Sequence, residues 1–157
     1  MRHLSIRKGD HVMSATEQRI RELLFGATEG GPVTVTNLSL QPWIHLGFSV
    51  EALRNVAGAM GVRETAMAAY LGVSVRTLQR VLTQDHLTSA ISDRLAMITR
   101  LLALGEVVLG SVDEAQRWFA APQVALDGRR PLDLMQTVTG ALEVEQLLGR
   151  IYHGVYT

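Results

Sequence analysis

Four polar side chains that follow each other closely in the sequence have the hydrogen-bonding groups with which proteins contact nucleic acids. They are Arg76, Thr77, Gln79 and Arg80. Arginine can form two hydrogen bonds with guanine and glutamine can do so with adenine, while hydroxyl and guanidinium groups also bind phosphate oxygens. Such side chains read bases only when one helix presents them together to the major groove. The chemistry predicted here is therefore binding to double-stranded DNA.

The residues around these side chains predict a helix-turn-helix. Apolar residues recur at a spacing suited to two short helices that cross at a tight turn: Met67, Leu71, Val73, Leu78 and Val81. Small Ala68 would lie where the helices approach each other, and Gly72 would occupy the turn, where a positive φ is cheap for glycine. Ser74 is expected to cap the second helix and to belong to the DNA-binding surface. The alternative is an ordinary pair of core helices with a solvated polar face.

The distribution of charge favours an oligomer. The chain of 157 residues has 15 basic and 15 acidic residues, so its formal net charge is zero. Residues 63–100 contain five arginines against three carboxylates, whereas residues 101–157 contain four against seven. Because so small a basic excess gives a monomer little affinity for phosphates, we expect a homo-oligomer, at least a dimer, on operator DNA.

Composition excludes several other classes of protein. Cysteine is absent, which excludes a disulfide framework and a cysteine nucleophile. No apolar run approaches the ~20 residues of a membrane span, so we expect a cytoplasmic protein with no membrane partner. The histidines are scattered without the spacing of metal ligands: His3, His11, His45, His86 and His153. We predict no catalytic residue, metal or cofactor.

The helix caps and apolar patterns along the rest of the chain predict a mainly α fold. Residues 1–13 form a polar arm to which no fold is assigned, and Ser14 or Thr16 is expected to cap a first helix. Residues 33–40 alternate apolar and polar side chains, as an extended segment would. Further helices are expected over residues 49–60, 89–109, 131–138 and 140–153, with caps at Thr88, Ser111 and Thr139. An apolar core cluster is expected from Trp43, Ile44, Leu46 and Phe48.

The helix predicted over Ser89–Leu109 is apolar on more than one face, so it needs contacts on two sides. We expect it to join the two halves of the chain and to contribute to a dimer interface. The domains predicted are an arm with a small helical or extended segment at 1–47, a helix-turn-helix domain at 48–109 and a helical domain at 110–157. In the last helix, Leu142, Leu147, Leu148 and Ile151 are expected to point inward.

Several stretches together resemble the Xre/MbcA/ParS family of toxin-binding antitoxins. They are SDRL at residues 92–95, the region ending at Trp118, ALDGRRPLDLM at 125–135 and LLGRIYHGVY at 147–156. The resemblance implies an antitoxin that represses its own operon and binds a RES-domain toxin, which consumes NAD or transfers its ADP-ribose. The segment 136–138 departs from the family, which commonly has an acidic residue there.

The same resemblance implies that toxin binding involves the C-terminal residues Arg129, Arg130, Arg150, Tyr152, Gly154, Val155, Tyr156 and Thr157. Gly154 is expected to end the last helix and to free a tail that enters the NAD pocket, where Tyr152 or Tyr156 would stack and a terminal carboxylate would meet arginines. Alternatively, the tyrosines fold back onto the chain's own core, and neutralisation moves to the surface around Arg129 and Arg130. A second function class also stays open, namely a stand-alone regulator whose C-terminal half only dimerises or senses a ligand.

Overall fold

The computed structural model describes residues 8–26 and 30–155, and these form helices and short helical turns without a β-strand. The helices are α1 Lys8–Phe25, α2 Asn37–Leu46, α3 Val50–Met60, α4 Met67–Leu71, α5 Val75–Val81, α6 Ser89–Leu109, α7 Val112–Ala120, α8 Pro131–Leu134 and α9 Val138–His153. Two turns of 3-10 helix lie at Glu64–Ala66 and Val124–Leu126. The predicted mainly α fold is therefore confirmed.

Helix α6 is the element on which the others pack. It contacts α1, α2, α3, α4, α7 and α9, and it buries apolar side chains on several faces. The expectation that α6 needs contacts on two sides is confirmed, but helices of the same chain make these contacts. The apolar side chains that α6 leaves for a further partner, such as Met97 and Leu104, are half-buried. The predicted dimer interface on α6 is thus largely occupied, and dimerisation itself stays a prediction.

Helix α1 begins earlier than the sequence suggested. It starts at Lys8, so Ser14 and Thr16 lie inside the helix and do not cap it, and residues 8–13 are helical, not an arm without fold. The helix is held by tertiary contacts, because Ile20 is buried against the core and Arg19 pairs with the buried Glu106 of α6. A buried carboxylate needs such a partner. Residues 1–7 of the predicted arm lie outside the described ranges.

The extended segment predicted over residues 33–40 is wrong at its C-terminal half, where α2 begins. Thr36 caps α2 in a capping box, since its Oγ1 accepts from the Ser39 amide at 3.0 Å and Ser39 Oγ accepts from the Thr36 amide at 2.8 Å. This local pair decides the conformation over the apolar–polar alternation. Leu40 is then buried against the core.

The apolar cluster predicted near residue 45 is only partly in the core. Ile44 and Phe48 are buried, whereas Leu46 is 74% exposed and does not belong to it. Trp43 is half-buried, with its ring packed edge-on against Phe25 at a centroid distance of 5.0 Å. Leu46 lies on the outer side of α2, because a helix presents only one stripe of its residues to the core.

The start of the last helix also differs from the prediction. Thr137, not Thr139, caps α9, because its Oγ1 accepts from the Gly140 amide at 3.0 Å. The corner between α8 and α9 is tight, since a Cβ on Gly140 would lie 2.1 Å from the carbonyl oxygen of Leu134. The helix therefore starts two residues earlier, and Leu142 points outward with 51% of its surface exposed.

Other predicted boundaries are confirmed. Thr88 and Ser111 cap α6 and α7, and Ser49 caps α3, each by accepting a hydrogen bond from a backbone amide three residues later. In the described ranges, no single helix is long and apolar enough to cross a membrane. Helices α6 and α7 reach the necessary length and apolar composition only when taken together, and the angle between them is 112°.

Candidate functional sites

The helix-turn-helix has the geometry that its residues predict. Helices α4 and α5 meet at Gly72, whose φ of 69° is left-handed, and Ala68 of α4 is buried. Ser74 caps α5, since its Oγ accepts from the Thr77 amide at 3.1 Å and its hydroxyl donates to Thr77 Oγ1 at 2.9 Å. The side chains of Leu78 and Val81 are buried. The helix α5 is therefore fixed by its apolar face and by its cap.

The opposite face of α5 is open to solvent. Arg76, Gln79 and Arg80 are exposed, Ser74 is exposed beside them, and Thr77 is half-buried because it takes part in the cap. Within residues 8–26 and 30–155, the guanidinium groups of Arg76 and Arg80 have no carboxylate or hydrogen-bond partner. The structure thus brings the predicted DNA-binding side chains onto one exposed face, where both guanidinium groups are available to a ligand.

The predicted C-terminal arginines are in a different state. Arg130 forms two hydrogen bonds with the carboxylate of Asp133, at 2.8 Å from Nε and 2.7 Å from Nη2. This bidentate pairing lowers the pKa of Asp133 and raises that of Arg130. Arg129 lies 3.4 Å from the carboxylate of Asp127 and donates from Nε to the carbonyl of Leu126 at 3.3 Å. Both arginines therefore already contact their own chain.

The end of α9 is capped as the sequence predicts. Gly154 has a left-handed φ of 72°, and the amide of Val155 donates to the carbonyl of Arg150 at 2.9 Å. Val155 is exposed, whereas Tyr152 is half-buried with its ring 4.9 Å from that of His153. Tyr156 and Thr157 lie outside the described residues. The tail thus leaves the helix at an exposed point.

Arg150 carries a buried Nε that has no hydrogen-bond partner among the described residues, although the residue as a whole is half-exposed. A buried donor without an acceptor destabilises the conformation that holds it, by about 1–3 kcal/mol. The structure therefore leaves this side chain with an unmet hydrogen bond, one turn before the end of α9.

One arginine that the sequence did not mark as functional connects three helices. Arg94 of α6 donates from Nε and Nη2 to the carbonyl of Tyr70, at 3.3 and 3.0 Å, and from Nη2 to the carbonyl of Gln136 at 2.8 Å. Tyr70 lies at the end of α4, and Gln136 follows α8. The sequence gives Arg94 only as part of the SDRL motif, because its partners are backbone atoms 24 and 42 residues away.

No group of histidine, aspartate and glutamate side chains in residues 8–26 and 30–155 is arranged to hold a metal ion. The described residues do form a cavity of about 270 Å³ between α1, α2 and α6. Most of its surface is apolar, and the pair formed by Arg100 and Glu145 at 3.0 Å borders it.

Sequence comparisons divide the chain at α6. A profile of the antitoxin Xre-like helix-turn-helix domain matches residues 44–100, and a profile of the antitoxin Xre/MbcA/ParS C-terminal toxin-binding domain matches residues 103–154. An antitoxin Xre of Yersinia enterocolitica is 33% identical over 116 residues, which cover 73% of this chain and 78% of the relative. An antitoxin Xre of Pseudomonas putida is 32% identical over 83 residues, or 52% of each chain. A third, of Photorhabdus laumondii, is 30% identical over 54% of this chain and 58% of its own length.

Proposed function

Since this chain belongs to the Xre family of type II antitoxins, we propose that it neutralises a RES-domain toxin and represses its own operon as a homo-oligomer. Family membership also confirms that the chain is not an enzyme. The observation that carries the proposal is that one chain has two separate exposed surfaces. They are the polar face of α5 in the domain at 48–109 and the end of α9 in the domain at 110–157. We assign DNA binding to the first domain and toxin binding to the second.

DNA binding is supported by the state of the α5 side chains. Arg76 and Arg80 lie one helical turn apart, are exposed and have no partner among the described residues. They can contact phosphates or bases without breaking an interaction in the free protein, and Gln79 can recognise adenine between them. One short helix reads few base pairs, so a second copy on a symmetric operator is needed for tight binding.

Toxin neutralisation is supported by the exposed end of α9. Gly154 turns the chain out of the helix, and exposed Val155 leads into Tyr156 and Thr157. We propose that these residues enter the NAD pocket of the toxin, where Tyr156 stacks in place of a nucleotide ring. Tyr152 is half-buried near the end of α9, so it would stay on the helix where the inserted segment begins. Arg150, one helical turn before Gly154, would lie at the rim of the pocket and meet an acidic group on the toxin.

A stand-alone regulator is the second candidate, and the cavity near α1 is the observation that favours it. Ile20, Leu40 and Leu104 line that cavity, and its 270 Å³ could hold a small apolar ligand. The two functions differ in an easily observed property. A RES-domain protein encoded by the neighbouring gene that co-purifies with the chain supports the antitoxin, whereas a homodimer that no such protein joins supports the regulator.

The experiment that tests toxin neutralisation deletes residues 155–157 and measures NAD consumption by the RES-domain protein in excess antitoxin. If the tail blocks the pocket, the truncated chain still forms the complex in size-exclusion chromatography, but NAD consumption returns. Arg117→Ala is a matched control, because Arg117 is exposed in the same domain and, among the residues that the structure describes, pairs with Glu114 alone. Full inhibition by the truncated chain would reject the inserted tail and move neutralisation to the surface around Arg129 and Arg130.

A further inference from the structure

The exposed face of α5 includes one apolar side chain among its polar ones. Val75 is the first residue of α5, and 47% of its surface is exposed. Within residues 48–109, all of which the structure describes, no other large apolar side chain is exposed. The DNA-binding residues predicted from the sequence do not include Val75, because its side chain has no hydrogen-bonding group.

The helical repeat places Val75 beside the residues to which base contacts are assigned. Residues four apart in an α-helix lie on one face, one turn above the other. Val75 therefore lies in one row with Gln79, and Arg76 and Arg80 form the adjacent row. All four side chains are exposed. In a helix-turn-helix, the first residues of the second helix contact base edges, so a base that meets Arg76 or Gln79 lies near Val75.

Helix stability does not account for valine at this position. Alanine is the better helix former, because the branched Cβ of valine restricts its χ1 angle. The start of α5 is fixed by Ser74, whose Oγ accepts from the Thr77 amide at 3.1 Å. Valine adds no hydrogen bond to this cap, and about half of its side chain is open to solvent. Val75 is thus available for an apolar contact with a ligand of α5.

We propose that Val75 recognises a thymine in the operator by packing its methyl groups against the 5-methyl group of that base. This inference rests on the proposed DNA binding and adds a specificity-determining residue to it. The thymine methyl is the one apolar group that base pairs present in the major groove, and its burial against valine is favourable. A cytosine at the same place would turn an amino group towards Val75, which has no acceptor for it. Val75 therefore adds thymine to the bases that Arg76 and Gln79 can select.

The first test selects the binding site from duplexes of random sequence, so it does not depend on knowing the operator. Selection with the full-length wild-type chain should enrich a motif. Selection with Val75→Ala should enrich the same motif, except that one thymine in each half-site is no longer preferred. Val124→Ala is the matched control, because Val124 is an exposed valine between α7 and α8, and its motif should equal that of the wild type. Retention of every thymine preference in Val75→Ala, or the absence of any wild-type motif, overturns the proposal.

A second measurement changes the DNA and leaves the protein intact. Deoxyuridine replaces each thymine of the selected duplex in turn, which removes one methyl group and keeps the base pair. Fluorescence anisotropy should show one position in each half-site where the replacement lowers the affinity of the wild type and of Val124→Ala about fourfold, as expected for a buried methyl group. Val75→Ala should bind the two duplexes with affinities within about twofold of each other. Equal sensitivity of the wild type and Val75→Ala at every position contradicts the role of Val75.

Failure of this inference can be distinguished from failure of the proposed function. If the wild type selects a motif that its own promoter lacks, autorepression fails, while both measurements still test Val75. If the promoter contains the motif and Val75→Ala keeps all its thymine preferences, autorepression stands and the role of Val75 is rejected. Neither measurement uses the toxin. Urea unfolding should show Val75→Ala to be as stable as the wild type, so a changed motif is not a loss of fold.

Discussion

Both candidate surfaces carry two arginines, yet the surroundings of the two pairs are opposite. Arg76 and Arg80 on α5 have no partner in the described parts of the chain, whereas Arg129 and Arg130 contact carboxylates of their own segment. The α5 arginines can bind a ligand directly. Arg129 and Arg130 must first exchange a partner, so their net gain on binding is smaller. Exposure of an arginine is therefore a poor measure of what it contributes to binding.

Arg129 also has a structural role that the α5 pair lacks. The carbonyl of Arg129 accepts from the amide of Gln123 at 3.0 Å, which closes the loop around the turn at Asp127. Asp127 has a left-handed φ of 55°, an uncommon conformation for a residue with a side chain. This backbone bond and the bond from Arg129 Nε to the carbonyl of Leu126 hold the loop between α7 and α8. Arg129 therefore contributes to the shape of the C-terminal domain.

The largest effect is expected from the double variant Arg76→Ala with Arg80→Ala. Each lost contact to a base costs about 1–3 kcal/mol of binding free energy, so binding to the promoter should be lost at moderate salt. The fold and toxin binding should persist, because neither arginine has a partner in the described residues. An electrophoretic shift of the promoter fragment measures this. The double variant Arg129→Ala with Arg130→Ala is the comparison, and an equal loss there would remove the contrast between the surfaces.

An intermediate effect is expected from Ser74→Ala, which removes the cap of α5. Loss of an N-terminal cap costs about 0.5–2 kcal/mol of stability, and here it also frays the helix that presents Arg76. Ser111→Ala is a matched control, because Ser111 Oγ accepts from the Glu114 amide at 3.1 Å, the same distance as at Ser74. Urea unfolding should show similar losses of stability in both. Promoter affinity should fall only in Ser74→Ala, and a fall in both would show that general destabilisation is responsible.

The smallest effect is expected from Arg130→Ala, because its pair with Asp133 is exposed. Arg130 lowers the pKa of Asp133 in the folded state, so the pair stabilises the fold above the unfolded pKa of about 4. That contribution is lost as pH falls through the lowered folded pKa. In Arg130→Ala, NMR titration should show the pKa of Asp133 higher than in the wild type. An unchanged value would show that other groups hold the carboxylate.

The sequence predicts the helix-turn-helix well because its signals are local. Gly72, Ser74 and the apolar residues all lie within 18 residues. Gly72 marks the turn, Ser74 marks the start of the second helix, and the apolar residues mark the buried faces. In the segment before it, two local signals compete. The alternation of apolar and polar residues suggests a strand, whereas Thr36 and Ser39 form a capping box that starts a helix. The helix forms, and it is stabilised further because it buries Leu40 against the core.

Features that depend on the packing of one element against another could not be predicted from the sequence. The start of α9 could be at Thr137 or Thr139 by sequence, and the approach of Gly140 to the carbonyl of Leu134 decides between them. The hydrogen bonds of Arg94 were missed for the same reason, since they join helices that no periodicity relates. Positions on one helix can be inferred from its own pattern, but a contact between three helices requires their packing.

The most direct test of the central claim is a titration of the purified RES-domain protein while NAD consumption is measured. Wild-type chain and the double variant Arg76→Ala with Arg80→Ala are added in parallel. If the chain is an antitoxin with separate DNA-binding and toxin-binding surfaces, both proteins stop NAD consumption at the same molar ratio, although only the wild type binds the promoter. Continued NAD consumption in excess wild-type chain would contradict the proposed function.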